Sequence, residues 1–136
     1  QLVPSKYRLI WFYETGNGIA QNKEKAFELC KLIAEAGFEQ AQFDLGRFYA
    51  QGIGTNINPK KTFQWTKLAA EKGFLDAQMQ LAYLYQIGFG TELSHKKCFK
   101  WTKKTAEQGE NIASYLLGSF YMRGKGIKQN IEEIYS

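Results

Sequence analysis

The chain has 136 residues, of which 44% are hydrophobic and 23% are charged, so its composition is that of a folded domain and excludes a disordered chain. The net charge of +5, from 18 basic and 13 acidic residues, is too small to indicate a nucleic-acid partner. The longest uninterrupted apolar runs have five residues, as in 9–13, where a membrane span needs roughly 18, so no transmembrane segment is predicted.

Several residue types recur along the chain at one spacing of 36 residues. No insertion or deletion interrupts this period, so the chain divides into units 5–40, 41–76 and 77–112 and a partial unit 113–136, which form one array over residues 1–136. The columns with this period include Leu9, Leu45, Leu81 and Leu117; Tyr13, Tyr49, Tyr85 and Tyr121; Gly16, Gly52, Gly88 and Gly124; and Gly18, Gly54, Gly90 and Gly126.

The first half of each unit predicts an amphipathic helix. In unit 41–76, Ala41, Leu45, Phe48 and Tyr49 follow the i, i+4, i+7, i+8 spacing of one helical face. Gly52 then ends this helix, because glycine readily adopts the left-handed conformation that closes a helix.

The second half of each unit predicts another helix. In unit 41–76, Asn58 is a typical helix N-cap, and Pro59 suits the first helical position. Polar residues fill the same cap position in the other units, at Asn22, Ser94 and Asn130. We expect this helix to run to Lys72 and to stop at Gly73.

One column on the first helix is small, with Gly46, Ala82 and Gly118, which would let two helices approach closely; Ile10 breaks the rule, so the first unit is expected to pack differently. A single pair of short helices buries too little surface to fold alone, and stacking supplies the core. The predicted fold is therefore an all-α solenoid of antiparallel helix pairs.

The motif in unit 41–76 resembles a Sel1-like repeat. The resemblance is carried by Ala41-Gln42, Leu45-Gly46, Tyr49, Gly52-Ile53-Gly54 and the run from Lys61 to Gly73, and it covers residues 5–136. It implies a right-handed superhelix related to tetratricopeptide repeats, which acts as a protein-binding scaffold. It does not imply a catalytic activity. The first unit is looser, with Ser5, Ile10 and Leu29 in place of Ala, Gly and Trp.

The resemblance also implies where a partner would bind, because related tetratricopeptide repeats present unit positions 3, 7 and 10 to a concave groove. These positions are rich in the aromatic, Met and Arg side chains that are common at binding hot spots. The alternative for position 3 is that its side chains belong to the seam between helices. Arg47 is a candidate anchor for a carboxylate. The predicted partner-binding residues are Tyr7, Trp11, Phe43, Arg47, Met79, Tyr83, Gln86 and Tyr115.

No cofactor, metal or catalytic site is predicted. The Gly-x-Gly pairs follow helices and lack the remaining residues of a phosphate-binding loop, so they are interpreted as helix ends. His95 and Cys98 could be half of a metal site, but the chain has no second pair. With a single His, no Ser-His-Asp or Cys-His-Asn set can be assembled.

Many lysines lie on the predicted second helices, which would form the outer side of the array. Acidic residues are interspersed among them, so a solvated surface is favoured over a stripe that binds nucleic acid or lipid headgroups. Cys30 and Cys98 are almost two units apart, too far for a disulfide, which favours a reducing compartment such as the cytoplasm.

The predicted function is a non-catalytic scaffold that binds a partner protein or peptide on its concave face. The alternatives are a regulatory or targeting region of a larger signalling enzyme such as a protein kinase, and a bacterial host-interaction protein. The sequence begins with Gln, so we expect a processed or excised piece. Its terminal units offer uncapped apolar faces, and a homodimer through these units is one expected outcome.

Overall fold

The computed structural model describes residues 4–108, which form six α-helices and no strand. The bounds are α1 (Tyr7–Thr15), α2 (Lys23–Glu35), α3 (Glu39–Gln51), α4 (Pro59–Glu71), α5 (Leu75–Ile87) and α6 (His95–Glu107). Each helix packs against the next one along the chain. The expected all-α solenoid of helix pairs is thereby confirmed. Asn130 and the rest of the fourth unit lie outside the described residues.

The predicted helix signals act as expected at both ends. The side chains of Asn22, Asn58 and Ser94 each accept a hydrogen bond from a backbone N–H in the first turn of α2, α4 and α6, at 3.0–3.1 Å. Gly52 ends α3 with φ of 69° in the left-handed region. Helix α4 ends at Glu71, one residue before the predicted position.

Two of the first helices begin earlier than the unit boundaries drawn from the sequence, whereas α1 begins at Tyr7, two residues after its boundary at 5. Helices α3 and α5 start at Glu39 and Leu75, two residues before 41 and 77. No side chain caps these helices, since the residues before them are Phe38 and Phe74. The apolar pattern begins at the first buried residue of each of these two helices, Ala41 and Ala77, and does not include the two residues before it.

Buried glutamine explains the Ala-Gln pair near the start of α3 and of α5. Gln42 Nε2 donates to the carbonyl oxygen of Ala34 at 3.1 Å, and Gln78 Nε2 donates to that of Ala70 at 3.2 Å. The two acceptors belong to the last turns of α2 and α4, where backbone carbonyls have no partner within the helix. The glutamine therefore ties α3 to the end of α2 and α5 to the end of α4.

The small column does bring the helices of a pair close together. A β-carbon at Gly46 would lie 2.7 Å from Thr66 Oγ1, so α3 and α4 leave no space there. In the first unit, Ile10 is buried in the same cluster as Ala26 and Cys30 of α2. The equivalent residues of α4 are Thr62 and Thr66, so α2 has a smaller side chain at the first position and a thiol in place of a hydroxyl at the second. The first pair thus accommodates the larger Ile10 side chain by a smaller partner across the seam.

Within the described residues, successive units meet through the second glycine of the second and third Gly-x-Gly pairs, Gly54 and Gly90. A β-carbon at Gly54 would overlap the carbonyl oxygen of Lys23 in the first turn of α2, and one at Gly90 would overlap that of Pro59. Aromatic pairs accompany this contact, with Phe27 edge-on to Tyr49 at a centroid distance of 5.3 Å. The junction between units is therefore a direct approach of backbone to backbone.

This junction predicts different costs for one substitution at two equivalent glycines. Gly54 and Gly18 both have positive φ, of 71° and 92°, but a β-carbon added at Gly18 would have no neighbouring atom within 4 Å. In both alanine variants the free energy of unfolding should fall by about 1–2 kcal/mol, because alanine is strained in the left-handed backbone conformation. Gly54→Ala should lose about 1–3 kcal/mol more, because it pushes the backbones apart.

Urea unfolding of the two variants measures this difference, with Gly18→Ala as the matched control. Equal destabilisation by the two substitutions would show that the contact at Gly54 does not fix the stacking of units.

Candidate functional site

The predicted binding residues at unit position 3 lie in the seam between successive first helices. Tyr7 packs edge-on against Phe38 at a centroid distance of 5.1 Å, and Phe43 packs against Phe74 at 5.6 Å. Both side chains, and that of Met79, are half-buried. Position 3 therefore contributes partly to packing and presents only the remainder of each side chain to solvent.

The aromatic residues at position 7 are more accessible. Trp11 is 50% exposed and Tyr83 is 51% exposed, which is unusual for such large apolar side chains. Gln86, at position 10, is half-buried. Tyr115 lies outside the described residues.

A cavity of about 380 Å³ lies between α1 and α3. It brings together three of the predicted residues, Tyr7, Trp11 and Arg47, with Glu14 and Asp44. Phe43, Met79, Tyr83 and Gln86 do not line it. The structure thus places the described predicted residues along the first helices and gathers only Tyr7, Trp11 and Arg47 into this pocket.

Arg47 already has a carboxylate partner within the chain. Its Nη1 and Nη2 donate to the two oxygens of Glu14 at 2.8 and 3.0 Å, a bidentate pair between α3 and α1. The hydrogen bond to Glu14 raises the pKa of Arg47, so the guanidinium stays charged. A ligand carboxylate at Arg47 would have to displace Glu14.

A second pair joins the same two helices. The Tyr7 hydroxyl donates to Asp44 Oδ2 at 2.5 Å. Burial raises the pKa of Asp44, against the effects of the Tyr7 hydrogen bond and of Arg47, which lower it. Burial and the bond to Asp44 also raise the pKa of Tyr7, so this hydroxyl remains a donor at neutral pH.

Sequence reasoning did not select Glu14 or Asp44 as site residues. Their partners are 33 and 37 residues away, so the pairs depend on how two units stack. The only local signal is that Asp44 stands three residues before Arg47, a spacing that places both on one side of α3.

A second groove, of about 470 Å³, lies on the side of the first pair away from α3. Leu9, which belongs to a column that is fully buried at Leu45 and Leu81, is 37% exposed there, and Leu32 is 62% exposed. The groove also contains Tyr13, Leu29, Lys25 and Glu28. It presents core-type residues of the repeat to solvent.

Metal clusters, disulfides and membrane-spanning helices can be judged for residues 4–108. No group of three or more His, Cys, Asp or Glu side chains in this part of the chain is arranged to hold a metal ion. Neither Cys30 nor Cys98 is in a disulfide, as expected from their separation. No helix among these residues is long and apolar enough to cross a membrane.

Known proteins share this architecture. The sequence profile described as Sel1 repeat matches residues 4–38, 39–74, 75–110 and 111–133. A Sel1 repeat protein from Oxalobacter formigenes superposes with a TM-score of 0.81 and 32% identity, over 88% of this chain and 49% of that one. The search of curated proteins finds no match.

Two further solved structures are similar. A protective antigen of uropathogenic Escherichia coli, with an SLR fold, has a TM-score of 0.82 and 33% identity over 89% of this chain and 26% of that one. Helicobacter pylori cysteine rich protein B has a TM-score of 0.69 and 23% identity over 79% and 80%, a likeness of fold. The chain spans about half of the Oxalobacter protein and a quarter of the Escherichia protein.

The buried carboxyl of Asp44 predicts a pH dependence of stability. Its pKa in the folded chain is raised above the ordinary 3.8, so the folded chain binds this proton more tightly than the unfolded chain. The free energy of unfolding should therefore rise, relative to an Asp44→Asn variant, as the pH is lowered from 7 towards 4. Tyr7, Arg47, Glu14 and Asp76 also act on this carboxyl and are unchanged in the variant.

Urea titrations of both proteins at several pH values measure this difference. Glu71→Gln, at an exposed residue of α4, controls for the loss of one negative charge. A relative stability of the wild type that falls on acidification would contradict the assignment.

Proposed function

Because the chain belongs to the Sel1 repeat family, whose repeats are generally protein-interaction modules, we propose that it is a non-catalytic scaffold that binds a partner protein or peptide. The binding surface is the concave face formed by α1, α3 and α5. The observation that carries the proposal is the half exposure of Trp11 and Tyr83, two aromatic side chains in one column of these helices. Exposed aromatic rings supply large contact area at little entropic cost and dominate many interfaces.

The remaining predicted residues extend this surface. The accessible parts of Tyr7, Phe43 and Met79 line the floor between the helices, and Gln86 adds a polar group beside Tyr83. Arg47 belongs to this surface as well, and its ion pair with Glu14 joins α3 to α1 there. Tyr115 is retained as a candidate from the sequence. A protein partner is favoured over nucleic acid because the lysines of the second helices are interspersed with glutamates.

A reducing compartment such as the cytoplasm suits the two cysteines. Cys30 is buried, and its thiol donates to the carbonyl oxygen of Ala41 at 3.3 Å. Burial raises the pKa of this thiol, which keeps it protonated and unreactive. The proposed reducing compartment is supported by Cys30 being a buried free thiol and not half of a disulfide.

The apolar groove on the outer side of α1 and α2 supports a homodimer. It carries Leu9 and Leu32 together with Lys25 and Glu28, so two copies related by a twofold axis could pair their leucines and cross-pair the charges. At the internal junctions the columns of Leu9 and Tyr13 are covered by a neighbouring unit. A second copy of the chain would cover them here.

The scaffold proposal predicts that the exposed aromatic residues decide peptide binding. Peptides selected from a displayed random library on the full chain should bind a Trp11→Ala, Tyr83→Ala double variant at least about tenfold more weakly. Leu68→Ala, which removes an exposed apolar side chain from α4, should leave their affinity unchanged. Fluorescence anisotropy gives the dissociation constants, and equal affinity for a folded double variant would refute the proposed surface.

The dimer proposal predicts a change in sedimentation. The wild-type chain should sediment as a dimer at micromolar concentrations, and Leu32→Lys should sediment as a monomer because the charge would be buried in the leucine contact. Leu68→Lys, the same substitution in the same column one unit later, should remain dimeric. A monomeric wild type under these conditions would rule the dimer out.

A further inference from the structure

Charges are divided between the two sides of the array. The first helices α1, α3 and α5 carry four acidic residues, Glu14, Glu39, Asp44 and Asp76, and two arginines. The second helices α2, α4 and α6 carry eleven lysines and five glutamates. The first-helix side of the described chain is therefore acidic, although the whole chain has a net charge of +5.

The pocket between α1 and α3 is lined by two of these acidic residues and by both arginines, so its formal charges balance. Asp44 lies in it with Glu14, and Asp76 is close enough to act on the Asp44 carboxyl. The one cation that is paired within the pocket is Arg47, and both of its terminal nitrogens are used by Glu14. The charge of Asp44 is consequently left without an ion-pair partner among residues 4–108.

Asp44 also has a free acceptor atom. The Tyr7 hydroxyl occupies Oδ2, and no other side chain of the described residues donates a hydrogen bond to this carboxylate. Arg8 lines the pocket but is exposed, and no hydrogen bond or ion pair within 4–108 joins it to Asp44. Half-buried carboxylates gain most from a charged donor, because water screens the pair less than at an open surface.

The wall of the pocket suits the same kind of group. Trp11 is half-exposed at its side and stands edge-on to Phe12 at a centroid distance of 5.1 Å. A guanidinium or ammonium group that reaches a carboxylate can also contact an indole face, which attracts cations. The volume of about 380 Å³ is sufficient for one long side chain.

We propose that the pocket formed by Tyr7, Trp11, Glu14, Asp44 and Arg47 binds an arginine or lysine side chain of the partner segment. Asp44 Oδ1 accepts a hydrogen bond from the cation, Trp11 contacts its stem, and the Glu14–Arg47 pair holds the two helices in place around it. The inference rests on the proposed function, because it specifies the chemistry of a ligand on the same surface. The partner is thus a protein segment with a basic residue beside apolar ones.

The test selects peptides from a displayed random library on the full wild-type chain and on Asp44→Asn. The asparagine keeps an acceptor for Tyr7 but removes the charge. Peptides that depend on Trp11 should be enriched in Arg or Lys at one position on the wild type, and this enrichment should disappear on Asp44→Asn. Glu71→Gln, which removes one negative charge from α4, should retain it.

A second measurement does not depend on any protein variant. One selected peptide is synthesised with Arg, Gln or Glu at the enriched position and titrated against the wild-type chain. The Gln peptide should bind about tenfold more weakly than the Arg peptide, and the Glu peptide more weakly still. Raising the salt concentration should reduce the difference between the Arg and Gln peptides.

The outcomes separate this inference from the function on which it rests. Selected peptides that prefer Asp or Glu would show that Arg47 exchanges Glu14 for a ligand carboxylate, and would overturn the inference while the scaffold role stands. Peptides without a charge preference would overturn it in the same way. Selection that yields no peptide dependent on Trp11 or Tyr83 would remove both the proposed surface and the inference.

Discussion

The array depends on one contact in which two backbones touch without an intervening side chain. At the two described junctions between units, the second glycine of a Gly-x-Gly pair lies against the first turn of the preceding second helix, as Gly54 does at Lys23 and Gly90 at Pro59. The contact leaves no space for a β-carbon, so it fixes the distance and the rotation between units more tightly than side-chain packing could. It also accounts for the uninterrupted period, since an inserted residue would move the glycine away from the carbonyl that it meets.

This uniform stacking supports a site that is not repeated. Because α1 and α3 lie side by side, Glu14 reaches Arg47 and Tyr7 reaches Asp44 across one junction. At the next junction the columns of Tyr7 and Glu14 contain Phe43 and Ala50, and those of Asp44 and Arg47 contain Gln80 and Tyr83. The same backbone geometry therefore gives two polar side-chain pairs between α1 and α3, whereas the equivalent positions between α3 and α5 carry aromatic and uncharged residues. Variation at these columns changes the side chains of the site but leaves the glycine contacts between units in place.

The sequence predicted the helices well because their signals are local. The caps at Asn58 and Ser94 and the stop at Gly52 each act within a few residues. The helix starts at Glu39 and Leu75 were placed two residues late, because no capping side chain marks them. The predicted surface columns could be taken from the period, but the partner of Arg47 could not. Glu14 is 33 residues away, so the pair requires the offset between stacked helices, which only the structure provides.

The first and second helices carry opposite net charges, so the two sides of the array differ in how they would act on an approaching charged segment. Lysines on the second helices also cover apolar surface: Lys67 lies over the ring of Phe63 at 5.9 Å and Lys97 over that of Tyr85 at 5.5 Å. Their charge repels a cationic segment from the outer side. The first helices, whose four acidic residues outnumber their two arginines, attract it to the side where Trp11 and Tyr83 are exposed. A basic segment would therefore be oriented towards the groove before contact, and an acidic one would be drawn first to the side that lacks the aromatic surface.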